Sequence, residues 1–196
     1  MAEAFRRKGA RYVGKFDQEE REVVVSLLSQ VRELIALDEE PATGDPIRDL
    51  LDSLGREPAS AREVDARDPA LRRLLPQASR DDDALAQDFR ALAEHDIRRA
   101  KAANLSTAIH ALSFEGGSRV ELDQRQAQAL MIAVGDVRLM LGERLDLRTD
   151  EDAERLQEGL DLGRHGTGND GERQLLAAYY DFLTWMQESL ALTLTG

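Results

Sequence analysis

Apolar residues along this chain recur mostly at three- and four-residue intervals, the period of a helix with one buried face. After Asp17 the stripe Val24, Leu27, Leu28, Val31, Leu34 and Ile35 predicts a helix running to about Asp38. Its start, Asp17-Gln-Glu-Glu20, has the spacing of a capping box, with Asp where Ser or Thr is commoner. Asp45-Pro46 and Asp68-Pro69 each place a capping carboxylate ahead of a proline at the first helical position. They predict two short helices, stopped by Gly55 and Pro76, with residues 56–67 between them as an exposed loop.

From Asp82 to about Leu112 runs the longest helical pattern. Leu85, Phe89, Leu92, Asp96, Ala100 and Ala103 share one face, whereas Leu105, Ala108, Ile109 and Leu112 lie on another. The stripe therefore rotates, through a kink near residues 102–104 or because the two halves contact different neighbours. Glu115-Gly-Gly117 ends it. The stretch Val120 to Leu147 is the most apolar, and its helix opens at Asp123 with Gln126 three residues on. Ala127, Leu130, Val134, Val137, Leu141 and Leu145 form one face, and Ile132 and Leu139 lie nearly opposite, so it reads as a buried central strut. Gly135 and Gly142, seven apart, predict the close approach of a neighbouring helix.

Thr149-Asp-Glu-Asp152 starts an acidic helix, residues 161–171 form a glycine-rich loop, and a last helix runs from Glu172 to about Leu194. Its stripe is Leu175, Tyr179, Phe182, Met186 and Leu190, with Trp185 to one side. At the other end, Phe5 to Tyr12 predicts a β-hairpin whose Lys8-Gly9 loop sets Phe5 across from Tyr12. A lone hairpin is marginal in water, so Phe5, Tyr12 and Phe16 should dock on the helices. The predicted fold is all-α: a single-domain bundle of six or seven helices with a short N-terminal hairpin.

Composition narrows the function. The chain of 196 residues has a net charge of −12 and no cysteine. An acidic surface repels nucleic acid and anionic lipid. The missing cysteine removes disulfides and thiolate chemistry and suits a reducing cytoplasm. Neither a membrane-spanning run nor a signal-peptide core is present, so a cytoplasmic protein is expected. The N-terminus inverts the overall charge, with Arg6, Arg7, Lys8, Arg11 and Lys15 against Glu3 in the first fifteen residues. The cluster is a candidate contact for a nucleic acid or an acidic partner; the plainer reading is a basic ribbon lying on the protein's own acidic surface.

Motifs for catalysis are weak. Gly166-Thr-Gly168-Asn-Asp-Gly171 spells GxGxxG, but it follows an acidic helix rather than a buried strand, so it reads as an interhelical loop. His95, His110 and His165 have no glutamate three residues before them, as a helical metal site would require. Ser106 and His110 share a face without an orienting acid. No catalytic residue, metal or cofactor is therefore assigned. The charges that need explaining are Asp96, Asp136, Arg138 and Arg144, which fall on or beside apolar faces. They form either a buried interhelical ion-pair network, for example Asp96 with one of the arginines, or an anion pocket around Arg138 and Arg144.

Gly135-Asp-Val-Arg-Leu-Met-Leu-Gly-Glu-Arg-Leu145, Phe89-Arg90 through Lys101-Ala-Ala-Asn-Leu105, and Tyr180-Asp-Phe-Leu-Thr-Trp-Met-Gln-Glu-Ser-Leu190 together resemble an actinobacterial family, domain of unknown function 2017. Leu130-Met131 departs from it where an aromatic residue is expected. The resemblance implies an accessory of Clp-dependent proteolysis, with the Clp adaptor or protease as partner, because members are often encoded beside that adaptor. Some members are labelled transcriptional regulators, and no site residue carries over. The expectation is a non-enzymatic protein-interaction protein. The alternatives are a regulator binding DNA through the basic hairpin and a small-anion binder.

Overall fold

The computed structural model describes residues 2–36, 68–75, 84–113, 117–161 and 169–196, and of these the side chains of 84–93, 150, 157, 159–161 and 169–170 are not described. The expected helix after Asp45, the 56–67 loop, the Leu85-Phe89-Leu92 side chains, His165 and most of the 161–171 loop lie outside the described residues. In chain order the elements are β1 (Glu3–Lys8), β2 (Arg11–Lys15), α1 (Gln18–Ala36), α2 (Pro69–Leu74), α3 (Ala84–Leu112), β3 (Arg119–Leu122), α4 (Gln124–Arg144), α5 (Asp150–Asp161) and α6 (Asn169–Thr195). The protein is predominantly helical. None of the described helices is long and apolar enough to cross a membrane.

The helix starts follow the sequence closely, because each is written in local hydrogen-bonding chemistry. Asp17 and Glu20 exchange a reciprocal pair of side chain to backbone bonds, each 2.9 Å. Asp123 and Gln126 do the same at the head of α4. Asp68 accepts from the Ala70 N–H ahead of Pro69, and Thr149 and Asp152 box the start of α5. α6 begins at Asn169, three residues before the expected Glu172, so its first turn takes in the end of the glycine-rich stretch.

The end of α4 is a Schellman motif. The Leu147 N–H reaches the Gly142 carbonyl and the Asp146 N–H that of Glu143. Asp146 takes the left-handed conformation, φ 59°, where glycine or asparagine is usual.

The N-terminal hairpin forms, but in another register and with a third strand. Gly9 has φ 63° and opens a Gly9-Ala10 turn, so Lys8 faces Arg11 and Arg7 faces Tyr12. A two-residue turn with glycine first suits the twist of the flanking strands, and this decides against the Lys8-Gly9 loop. β3 adds to β2 antiparallel, so the beginning of the Val120 to Leu147 stretch is strand rather than helix. Its Val120 and Leu122 alternate inward, a period-two signal too short to stand out before a long helix.

Phe5, Tyr12 and Phe16 are buried as expected. Phe5 and Phe16 join Phe182 and Trp185 of α6 in a ring cluster with centroids 5.3 to 6.3 Å apart. α6 is thus rotated from the expected stripe. Leu183, Met186 and Leu190 are its buried centre, Trp185 packs on the hairpin, and Leu175 is half exposed.

α4 lies among α1, α2, α3 and α6, with Ala127, Leu130, Ala133, Val134, Val137 and Leu141 sealed in the core. It is not wrapped all round, since Ile132 and Leu139 are 43% and 40% exposed. The side opposite its main apolar face opens to solvent.

Candidate functional site on the open face of the central helix

Tyr180 and Gln187, seven residues apart on α6, meet the two glycines seven apart on α4. A Cβ on Gly135 would lie 2.9 Å from Gln187 Nε2, and one on Gly142 would lie 3.3 Å from Arg73 Nη1 and 3.9 Å from Tyr180 Cε2. The glycines therefore make room for the ends of polar side chains of α6 and α2, rather than for the close approach of a neighbouring helix that their spacing predicts. In the space that remains there is a cleft of about 460 Å³. Ile132, Leu139, Leu147 and Ala153 give it apolar walls; Arg73, Asp136, Arg138, Arg148, Tyr180 and Gln187 give it polar ones.

The four charges singled out in the sequence separate. Asp96 is 67% exposed and pairs with Arg99 of its own helix, because the burial of α3 has rotated by this turn to Arg98, Leu105 and Ala108. Asp136 is 3% exposed and takes an ion pair from Lys101 of α3 through one oxygen. Its other oxygen is buried without a hydrogen-bond partner. Burial pushes the Asp136 carboxyl above the usual aspartate value, and Lys101 offsets only part of that rise. Arg144 holds the N-cap carboxylate of α2, Asp68, at 2.5 Å. Burial raises the Asp68 carboxyl, but Arg144 and the Ala70 N–H together outweigh it and hold the group below its ordinary range.

Arg138 differs from these. Its Nη1 donates to Gln187 Oε1 at 2.5 Å and its Nη2 to the Tyr180 hydroxyl at 3.2 Å. The guanidinium carbon stands 5.0 Å from the Tyr180 ring centroid. Gln187 is itself oriented by a bond from its Nε2 to the Met131 carbonyl, 3.2 Å. All these partners are neutral, and Arg138 Nε is buried without one. Among the described residues no carboxylate reaches Arg138.

The other arginines around the cleft have a structural reason to be there. A helix C-terminus carries partial negative charge and unpaired carbonyls. Arg173 donates to the Leu145 carbonyl at 2.9 Å and Arg73 to that of Leu147 at 3.0 Å. Arg148 clasps Glu143 with two bonds and Asp146 with a third, contacts that raise its pKa further. Arg98, which the sequence reading passed over, caps α1 from a neighbouring helix through the Ile35 carbonyl, 2.5 Å, while gripping Glu94. Arg138 lies mid-helix and caps nothing.

The second candidate is the basic hairpin. Residues opposite in a sheet share a face, and the register puts Arg6, Lys8, Arg11, Lys15 and Arg119 together on the outer one. Lys8 stands directly across from Arg11, and Lys15 from Arg119, which is unfavourable for like charges. Glu3 pairs with Lys15 and Glu121 with Arg119. Arg7 turns back to the Gly9 carbonyl. Arg6, Lys8 and Arg11 are exposed; the Glu3 carboxylate acts on Arg6 and Lys8 through space, without a close ion pair to either. Ser106 and His110 are exposed on α3 without a mutual hydrogen bond.

Proteins of Mycobacterium bovis and Mycobacterium tuberculosis named oxidative stress regulator AosR are 34% identical to this chain over 142 residues. The match takes in 66% of the chain, which spans about three fifths of the length of these curated relatives (59%). No solved structure matches significantly. Residues 2–194 match the family model described as domain of unknown function (DUF2017), and the chain belongs to that family.

Proposed function

We propose that this chain is a regulatory protein of the oxidative-stress response that acts by binding, through the open face of α4. The observation that carries the reading is the likeness to proteins named oxidative stress regulators over 142 residues. These 196 residues contain no cysteine, so no thiol among them senses the oxidant, and the reading is that the signal arrives as a contact with another molecule. A cleft holding exposed apolar residues and an arginine without a carboxylate is suited to such a contact, since surfaces of this kind mark interaction sites. Deleting the gene in the native host, with and without reintroduction, and measuring transcripts before and after peroxide tests the role. A set of transcripts should lose its response on deletion and regain it on reintroduction. An unchanged response would contradict the role. The narrower reading, in which the partner belongs to Clp-dependent proteolysis, rests on the family resemblance alone. Affinity capture that recovers no Clp component would remove it.

A second reading follows from the outer face of the sheet. Three exposed cations without a close ion pair and two like-charged cross-strand pairs lie on the outer face of a small antiparallel sheet, an element that some regulators place in a DNA groove. Retention on duplex DNA that falls steeply with salt, and is lost when Arg6, Lys8 and Arg11 become alanine, is the expected outcome. Absence of binding at low salt would sink this reading.

A further inference from the structure

We propose that the cleft on α4 binds a small organic acid, its carboxylate seated on the Arg138 guanidinium and its apolar body on Ile132 and Leu139. This deepens the regulatory reading by naming the class of effector that the same face takes.

The charge inventory isolates Arg138. Arg73, Arg148 and Arg173 satisfy carbonyls or carboxylates around the end of α4, and Arg144 satisfies Asp68. Arg138 has five N–H donors, of which two are used, both on neutral acceptors. A guanidinium is the side chain best matched to a carboxylate, in geometry and in charge. Leaving one mid-helix without an anion, half-buried and with Nε covered and unpartnered, costs stability that a purely structural residue would not impose.

The surroundings hold the group in place. Gln187 is fixed by the Met131 carbonyl and can lie where it does because residue 135 has no side chain. Tyr180 supports the cation with its ring and its hydroxyl together. The walls set the ligand class. Ile132 and Leu139 stand one above the other on the solvent side of α4, both exposed, and Leu147 and Ala153 line the same cleft. A volume of about 460 Å³ lies within the range of small-molecule sites. Asp136 also lines the cleft, and its carboxylate disfavours a second anionic group beside it.

Isothermal titration calorimetry on the full chain, with 4-methylpentanoate as probe, tests this against 4-methylpentanamide, acetate and inorganic phosphate. The branched carboxylate should bind saturably. The amide, which lacks the charge, and acetate, which lacks the apolar body, should each bind at least about tenfold more weakly. Binding should be lost in Arg138→Gln and retained in Arg99→Gln, an exposed residue of α3. Leu139→Glu alters an exposed position and puts a competing carboxylate in the cleft, so it should abolish binding even if Arg138→Gln does not fold. Three results would overturn the assignment: no saturable binding of 4-methylpentanoate, equal binding of acid and amide, or binding that survives either cleft variant. Phosphate binding as tightly as the branched acid would remove the apolar body from the proposal. None of these readouts depends on transcripts, so the effector and the regulatory role fail separately.

Discussion

At two glycines the result of the same substitution depends on whether the neighbour can move. A Cβ at Gly14 would meet the rings of Phe16 and Phe5 at 2.9 and 3.1 Å, both buried in the aromatic cluster. Gly14→Ala should therefore destabilise by about 1–3 kcal/mol in denaturant melts. At Gly135 the clash is with the far end of Gln187, which can swing away while the helix gains about 1 kcal/mol of propensity. Gly135→Ala should leave stability within about 1 kcal/mol yet loosen Arg138, seen as a shifted and broadened Arg138 Nε–Hε resonance. Asp136 has a sign that can be worked out. Its folded pKa lies above the usual value near 3.8, so the native state binds more protons than the unfolded one between those two values. Its contribution to stability is therefore unfavourable at neutral pH and is relieved as pH falls through the folded value. Asp136→Asn should melt above the parent at pH 7, with the gap closing toward pH 4. A large loss at pH 7 would show that the Lys101 pair outweighs burial.

Among elements, what was legible in the sequence was local. The caps at Asp17, Asp68, Asp123 and Thr149 could be read because donor and acceptor lie within three residues of each other. Asp123→Ala should accordingly cost about 1 kcal/mol. The hairpin's existence was legible too, but not its register, which a one-position change in the turn decides. The rotation of α6 was hidden because Trp185 and Phe182 are claimed by the hairpin, a contact more than 160 residues distant that no helical wheel contains. Trp185, the single tryptophan, reports on that contact. Phe16→Ala should cost about 3–5 kcal/mol and move Trp185 emission to the red, whereas an unchanged spectrum would mean that the sheet is not docked through these rings.

On the scale of the whole molecule, an acidic chain keeps two places of opposite character, the outer face of the sheet and the cleft on α4. The sequence pointed to both, through the basic run at residues 6–15 and through Arg138 and the heptad-spaced glycines. It could not show that Asp96 turns to solvent, that Asp136 pairs with Lys101, or that Arg138 rests on Tyr180 and Gln187. Those partners lie on other helices, and their spacing on α6 becomes a signal only once α4 and α6 are set side by side. The regulatory contact proposed for this chain is made in the cleft. Its most direct test is to place Leu139→Glu in the native gene, verify that the protein melts and accumulates normally, and measure the transcript response to peroxide. The response should be lost as fully as on deletion; a normal response at normal abundance would contradict the claim.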